Sequence, residues 1–530
     1  MYLAWVSNSV VPEVHILLCR RYLPARTLTI FLTLSTVRKS PQSHSKILSK
    51  WKITLLLLLL TLGALVVHGY HPYAEDAEIY LPGIEKILQP SLFPVGAPFF
   101  ASHAGLTLFP NLIAASARLT HLRLEYALFS WHVVSLFLLL LASWQWSGTC
   151  FVEPRARWGA VGAMAALLTL PVAGTALYIM DQYLNPRNLA AVAALVATTR
   201  VLEGKLLRAA LWLVFGVALH PLMGSFAVVF SLLLVGQQRF KSRLPFLALF
   251  IPFRDLFAPP TPAYQEAMRF HQFHFLSRWQ WYEWIGIVAP VGIFWCIQRF
   301  AAQDHRSNSK RLARALIVYD LMFFAAALVI SLPQRLEPLA RIQPLRSLHL
   351  LYMLLVLTGG GLIAEYILRE RLWRWFALFL PLCAGMYWAQ RSLFPASQHI
   401  EWPWAPPRNR WTQAFLWIQN NTPNDCFFAI DPLYYRIPGE DAVGFRACAR
   451  RSRLADAAKD SGAVSMFPPL AEEWWQELQA VRGWKQFGKR DFEGLKQRYG
   501  VNWVVVELAP IPALDCPYQN PAVAVCKLAP

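Results

Sequence analysis

Two things are scarce in this 530-residue chain: charge, with Asp, Glu, Lys and Arg making only 15% of it, and cysteine, with eight residues. So little cysteine excludes a disulfide-dense small scaffold. No CxxC or HExxH zinc spacing occurs either. Acids are the scarcer sign, 31 against 50 bases, for a formal net charge of +19. In a soluble protein that excess would point to nucleic acid. A chain that is 56% hydrophobic, with mean hydropathy +0.35, 22 Trp and 33 Phe, excludes both that partner and intrinsic disorder.

What is present is a succession of apolar runs of membrane length. A spanning helix needs about 20 such residues, and the run Ile53–Val67 is interrupted only by Thr54 and Thr61. Eleven spans are expected, near 52–70, 124–146, 158–178, 186–202, 206–219, 222–236, 244–258, 282–299, 314–332, 347–367 and 374–393. The fold class is therefore an α-helical polytopic membrane protein of about eleven helices. Of the bases in the loops, 21 fall on one side, among them Lys46, Lys50, Arg155, Arg200, Arg311 and Arg371, against ten on the other. Positive loops stay inside, so the N-terminus is expected in the cytosol and the C-terminus outside. Residues 1–50 show no signal-peptide pattern and are read as a cytosolic leader. Residues 51–395 form the membrane domain, with a long first outer loop over 71–123.

From about residue 396 to 530 no run is long enough to span, and acids and bases intermix. Helices are expected at Trp411–Asn421, Pro469–Val481 and Asp491–Tyr499, and strands at Cys426–Asp431 and Val501–Glu507. Ala522–Leu528 reads as an edge strand. This is a small extracytoplasmic α/β domain. Cys516 and Cys526, around a Pro-containing turn in it, are the expected disulfide pair.

Three acids in four positions, Glu75, Asp76 and Glu78, open the outer loop just beyond the first span. Carboxylates at that level must be solvated, paired or used. They suit proton abstraction from a hydroxyl, and Asp76-x-Glu78 suits a divalent cation such as Mg or Mn. A merely solvated loop helix is the plain alternative. Asp181–Arg187 follows the third span, and Arg187 suits phosphate or simple snorkelling. His220-Pro221 breaks the apolar run between two short spans. The loop 335–349 breaks the charge rule, with Arg335, Arg341 and Arg346 facing outward, a cationic cluster fit for a phosphate or for anionic head groups. Rings over Pro259–Trp284 read as an interfacial belt, and His271-x-x-His274 lacks a third metal ligand.

A leading span, a long outer loop with an acidic start, further spans and an outward domain together resemble the GT-C superfamily of polytopic glycosyltransferases, such as protein mannosyltransferases and lipid A aminoarabinose transferases. Trp417–Pro423 before Cys426–Asp431, and Tyr499–Val506, resemble segments of uncharacterised bacterial members. The resemblance implies the inner (plasma) membrane of a bacterium and transfer of a sugar from a polyprenyl-phosphate donor to an extracytoplasmic glycan, lipid or protein. It makes Asp76, with Glu75 and Glu78, the catalytic or metal-holding centre. Arg187, Arg341 and Arg346 are the donor-phosphate contacts of this reading. Glu473-Trp474-Trp475-Gln476-Glu477 departs from the WWDYG motif of oligosaccharyltransferases. A transporter or lipid flippase, suggested by Asp320 inside a span, and a non-catalytic assembly protein are the other readings.

Overall fold

The computed structural model describes residues 49–239, 260–300, 307–331, 339–507, 511 and 514–528. The leader and the span expected at 244–258 lie outside them. Within them the protein is mostly helical, with a small sheet near its C-terminus. Four stretches are long and apolar enough to cross a membrane: 50–68, 124–150, 308–331 and 339–368. The first is α1 (Lys50–His68), whose Leu58, Leu62 and Val66 are 45%, 54% and 56% exposed. A face of exposed leucines on a helix without a charged residue after Lys52 is what a lipid-facing surface requires.

The long loop over 71–123 is itself helical. It carries α2 (Ala77–Leu88), α3 (Pro98–Ala104) and α4 (Phe109–Thr120), and leads into α5 (Leu124–Cys150). Leu81, Ile84, Phe109 and Ile113 seal α2 against α4. A Cβ at Gly83 would stand 2.7 Å from that of Ala104, so the missing side chain lets α2 and α3 touch.

The expected third span is corrected by the structure. Its helix, α6 (Pro154–Ala166), stops after 13 residues, and the chain runs irregularly to Asn185, with a bridge between Pro171 and Tyr178 and left-handed Ala173 and Ala176. Pro171 has no amide to continue a helix, which the apolar run concealed. Irregular backbone at this depth needs polar partners. Here imidazoles from neighbouring helices supply them: His68 bonds the Ala165 carbonyl at 2.9 Å and the Thr169 hydroxyl at 2.7 Å, and His349 bonds the Ile179 carbonyl at 2.9 Å.

After it come α7 (Pro186–Leu202), buried on nearly every side, then α8 (Leu206–Leu219) and α9 (Pro221–Arg239), parted at His220. Next follow α10 (Pro262–Arg269), α11 (Trp281–Phe300), α12 (Ser307–Ser331), α13 (Leu348–Ile363) and α14 (Leu372–Leu393). Helices α6 and α13 cross on small residues: a Cβ at Gly159 would fall 2.1 Å from that of Ala364, and one at Gly360 would fall 2.4 Å from that of Ala163. Such contact brings backbones close. It also carries the irregular stretch after α6 alongside the turn before α13.

In the C-terminal region α15 (Arg410–Asn421), β1 (Phe427–Ile430), α16 (Phe445–Ala449), β2 (Ser452–Arg453), α17 (Lys459–Met466), α18 (Ala471–Ala480), α19 (Lys489–Tyr499), β3 (Trp503–Glu507), β4 (Asp515–Gln519) and β5 (Val523–Lys527) follow in order. The sheet order is β2-β1-β3-β5-β4, parallel across the first three and antiparallel thereafter. Strand alternation divides its side chains. Phe428, Ile430, Trp503 and Val505 meet α15 and α16, while Phe427, Val504, Val506 and Ala524 meet Trp484, Phe492 and Leu495. The helices and first two strands expected from sequence are present, but β5 is internal. The edge on that side is β4, whose alternating exposed and half-buried residues carry little apolar signal, joined to β5 by the Cys516–Cys526 disulfide.

Candidate functional site

The loop over 71–123 is fastened to the C-terminal region by backbone as well as side chains. The Gly444 amide donates to the Tyr73 carbonyl at 2.7 Å, and the Glu75 amide to that of Ala442 at 3.3 Å. Gly444 has room for nothing larger, since a Cβ there would lie 2.8 Å from Glu78 Oε2. Glu75 itself sits in the left-handed region, with φ 50°. That costs a non-glycine residue about 1 kcal/mol or more.

From this turn the three acids diverge. Lys459 at the head of α17 places its Nζ 2.5 Å from Glu75 and 3.2 Å from Asp76. On its other side, Asp76 Oδ2 is 3.9 Å from Arg187, and its amide donates to the Tyr183 hydroxyl at 3.2 Å. Arg346, in the turn before α13, acts on the same carboxylate. Burial alone would raise Asp76, but Lys459, Arg187 and Arg346 together hold it well below the usual carboxylate range. About 30% of its side chain stays accessible. The site is therefore ionised and open on one side.

Glu78 goes the other way. Its Oε1 accepts from Arg453 at 3.0 Å and stands 3.6 Å from Arg446, and its Oε2 accepts the Ala447 amide at 3.2 Å. Arg446 forms a two-pronged pair with Asp460 at 2.7 and 2.9 Å, and Arg453 pairs with Asp456. All five side chains are at most 2% exposed. Here burial wins and raises Glu78 in spite of its two arginines. Further along α2, Glu85 pairs with Arg450 at 2.9 Å, yet burial pushes it up to about 8.

The cations that answer the loop's acids thus lie together in Arg446–Lys459, a segment that the sequence reading passed over. Its signal was present but not distinctive: it holds five bases in fourteen residues, a density that residues 485–498 match. Asp456 orders it by accepting the amides of Ala458, Lys459 and Asp460 at 2.8, 2.6 and 3.2 Å, which caps α17 and fixes where Lys459 starts. The Trp-Trp segment contributes here too: Trp474 of α18 is fully buried and donates to the Asp456 carbonyl at 2.7 Å.

Arg187 does not snorkel. It is 3% exposed and paired through one nitrogen with both oxygens of Asp181, at 2.8 and 2.7 Å, while its Nε has no partner. Arg346 has no carboxylate within ion-pair distance among the described residues, and its buried Nε is likewise unpartnered. Arg341 is half-buried and joins none of these contacts. Imidazoles surround the group. His103 and His271 are held down to about 4 and about 3 by burial, with Arg346 adding to the effect. His271 bonds Ser461 at 3.0 Å, and both nitrogens of buried His274 lack partners.

The arrangement does not fit the divalent cation expected of Asp76 and Glu78. Asp76 is bounded by three cationic side chains and Glu78 is turned into the arginine cluster. Among the described residues no group of three or more His, Cys, Asp or Glu is disposed to hold a metal. Compared with known proteins, the chain matches no family model and no curated protein.

Proposed function

We propose that the chain is a membrane glycosyltransferase of about eleven spans, N-terminus in the cytosol, that moves a sugar from a polyprenyl phosphate to an extracytoplasmic acceptor. The observation that carries this reading is the meeting of an ionised, partly open Asp76 with Arg187, Arg346 and Lys459. A carboxylate beside incompletely partnered cations provides both functions such a transfer needs. Arg346 and Arg187 receive the phosphate and stabilise its charge as it leaves. The acceptor oxygen bonds to the anomeric carbon while the carbon–phosphate oxygen bond breaks, its electron pair going to phosphate and the acceptor's proton to Asp76. Held so low, Asp76 is a weak base on its own. Phosphate drawing the cations away would restore its basicity.

The test is transfer in proteoliposomes from a panel of polyprenyl-phosphate sugars. Asp76→Asn is expected to lower the rate by about 10²–10⁴-fold. Arg346→Ala should weaken donor use by about tenfold or more, as the loss of a charged hydrogen bond does. Wild-type speed in Asp76→Asn sinks the assignment. Donor carried across the bilayer with its sugar intact would favour a flippase.

A further inference from the structure

The geometry points to Lys459, supplied by the C-terminal domain, as the movable cation of the Asp76 site: it neutralises Glu75 and Asp76 until a phosphorylated ligand binds, then pairs with the ligand and frees Asp76 to take a proton. This rests on the reading of the site as a phosphate-handling centre.

Lys459 is the contact in the group best able to move. Arg187 is fixed by Asp181 in a helix buried on nearly every side. Arg346 lies in a short turn held between Gln343 and α13. Lys459 has its backbone locked by Asp456, but its side chain is 23% exposed and ends between two acids that are themselves 38% and 30% exposed. A flexible four-carbon stem on a rigid base can shift its ammonium by a few ångströms without moving the helix. Its neighbours leave it few other places to go. Asp460 is taken by Arg446 and Asp456 by Arg453.

The groups facing Asp76 come from every surrounding element. Its own loop gives Glu75 and Tyr80, α17 gives Lys459, the stretch after α6 gives Asp181 and Tyr183, and the first turn of α7 gives Arg187. Arg346 faces it from the turn before α13, with His103, His220 and His271 further out. Of the cations, Lys459 alone hydrogen-bonds the Asp76 carboxylate among the described residues. Its departure would change that carboxylate most.

The experiment is carbodiimide labelling of Asp76, which reports protonated carboxyl, in the full chain in nanodiscs, read by mass spectrometry across acidic pH. Lys459→Met is expected to raise labelling about tenfold at a fixed pH, the effect of one unit in pKa, and Lys459→Arg to stay near wild type. Geranyl phosphate should raise labelling in the wild type and leave Lys459→Met unchanged; inorganic phosphate in parallel tells whether the lipid tail is needed. If Lys459→Met fails to fold, Lys459→Gln serves, with retention of the loop–domain contact checked by proteolysis. An unchanged labelling profile in the folded Lys459 variant, or no response of the wild type to either phosphate, overturns the proposal. Labelling that responds as expected in a protein that transfers no sugar would instead preserve Lys459 and discard the glycosyltransferase reading.

Discussion

Asp76 and Glu78 stand two residues apart on one turn and meet the same domain, yet their surroundings differ in kind. Around Glu78 each acid and each arginine is ion-paired and at most 2% exposed, although the Arg446 Nε lacks a hydrogen-bond partner. Around Asp76 the Nε of Arg187 and of Arg346 lack partners, about 30% of the Asp76 side chain is accessible, and Glu75 has a left-handed backbone. The opposite displacement of the two carboxyls, Glu78 up by burial and Asp76 down by cations, expresses the same contrast. Completed buried networks hold parts together, whereas incomplete ones have capacity for a ligand. The dry cluster lets the open site exist, because Arg453, Asp456 and Asp460 fix the segment from which Lys459 projects.

The largest effect expected from breaking this division is on stability. Glu78→Ala leaves Arg446 and Arg453 with one buried partner fewer, and removal of one member of a buried ion-pair group costs about 3–5 kcal/mol. Thermal unfolding should fall accordingly, with protease cuts appearing in 71–123. Asp76→Asn, partly exposed, should lower thermal unfolding by much less than Glu78→Ala while largely removing activity. Equal destabilisation by both variants would erase the distinction between tether and site.

A smaller effect concerns pH. The folded value of Glu85, about 8, lies above its ordinary 4.5. Stability from such a group is therefore complete below 4.5 and lost as pH rises through about 8. Asp76, displaced downward from 3.8, contributes in the opposite sense and only in more acidic solution, its share being lost as pH falls below that value. Glu85→Gln should flatten the decline in unfolding temperature between these limits, and an unaltered slope would assign it to another group.

How far the sequence foretold all this depended on whether the signal was local. Helices α15, α18 and α19, strands β1 and β3, and the disulfide pair were legible because periodicity, turn residues and spacing are local properties, whereas α16 and α17 were not expected. Asp76 could be named from the run of acids that opens the loop, Arg187 from the polar segment 181–187 and Arg346 as an exception to charge patterning, and the fold sets them near one another. That Glu78 turns away from Asp76 was not legible, because side-chain direction in the turn depends on Gly444 and on arginines some 370 positions later. Lys459 and Arg346 met in no local pattern at all. Composition likewise concealed the end of α6, since Leu167–Met180 is as apolar as a span although the helix stops at Ala166 and Pro171 offers no amide to resume it.

The finest distinction between the two carboxylate environments is the strain at Glu75. Its left-handed backbone directs its carboxylate at Lys459, but its side chain is 38% exposed and its ion pair is screened, so the pair itself is worth about 0–1 kcal/mol. Glu75→Ala removes the carboxylate and keeps the left-handed cost. Glu75→Gly removes both. The glycine variant should therefore unfold later than the alanine variant by about 1 kcal/mol, less what glycine adds to the freedom of the unfolded chain. If alanine proves equal or better, Glu75 is not strained, and the turn that separates Asp76 from Glu78 is set by the Gly444 contact alone.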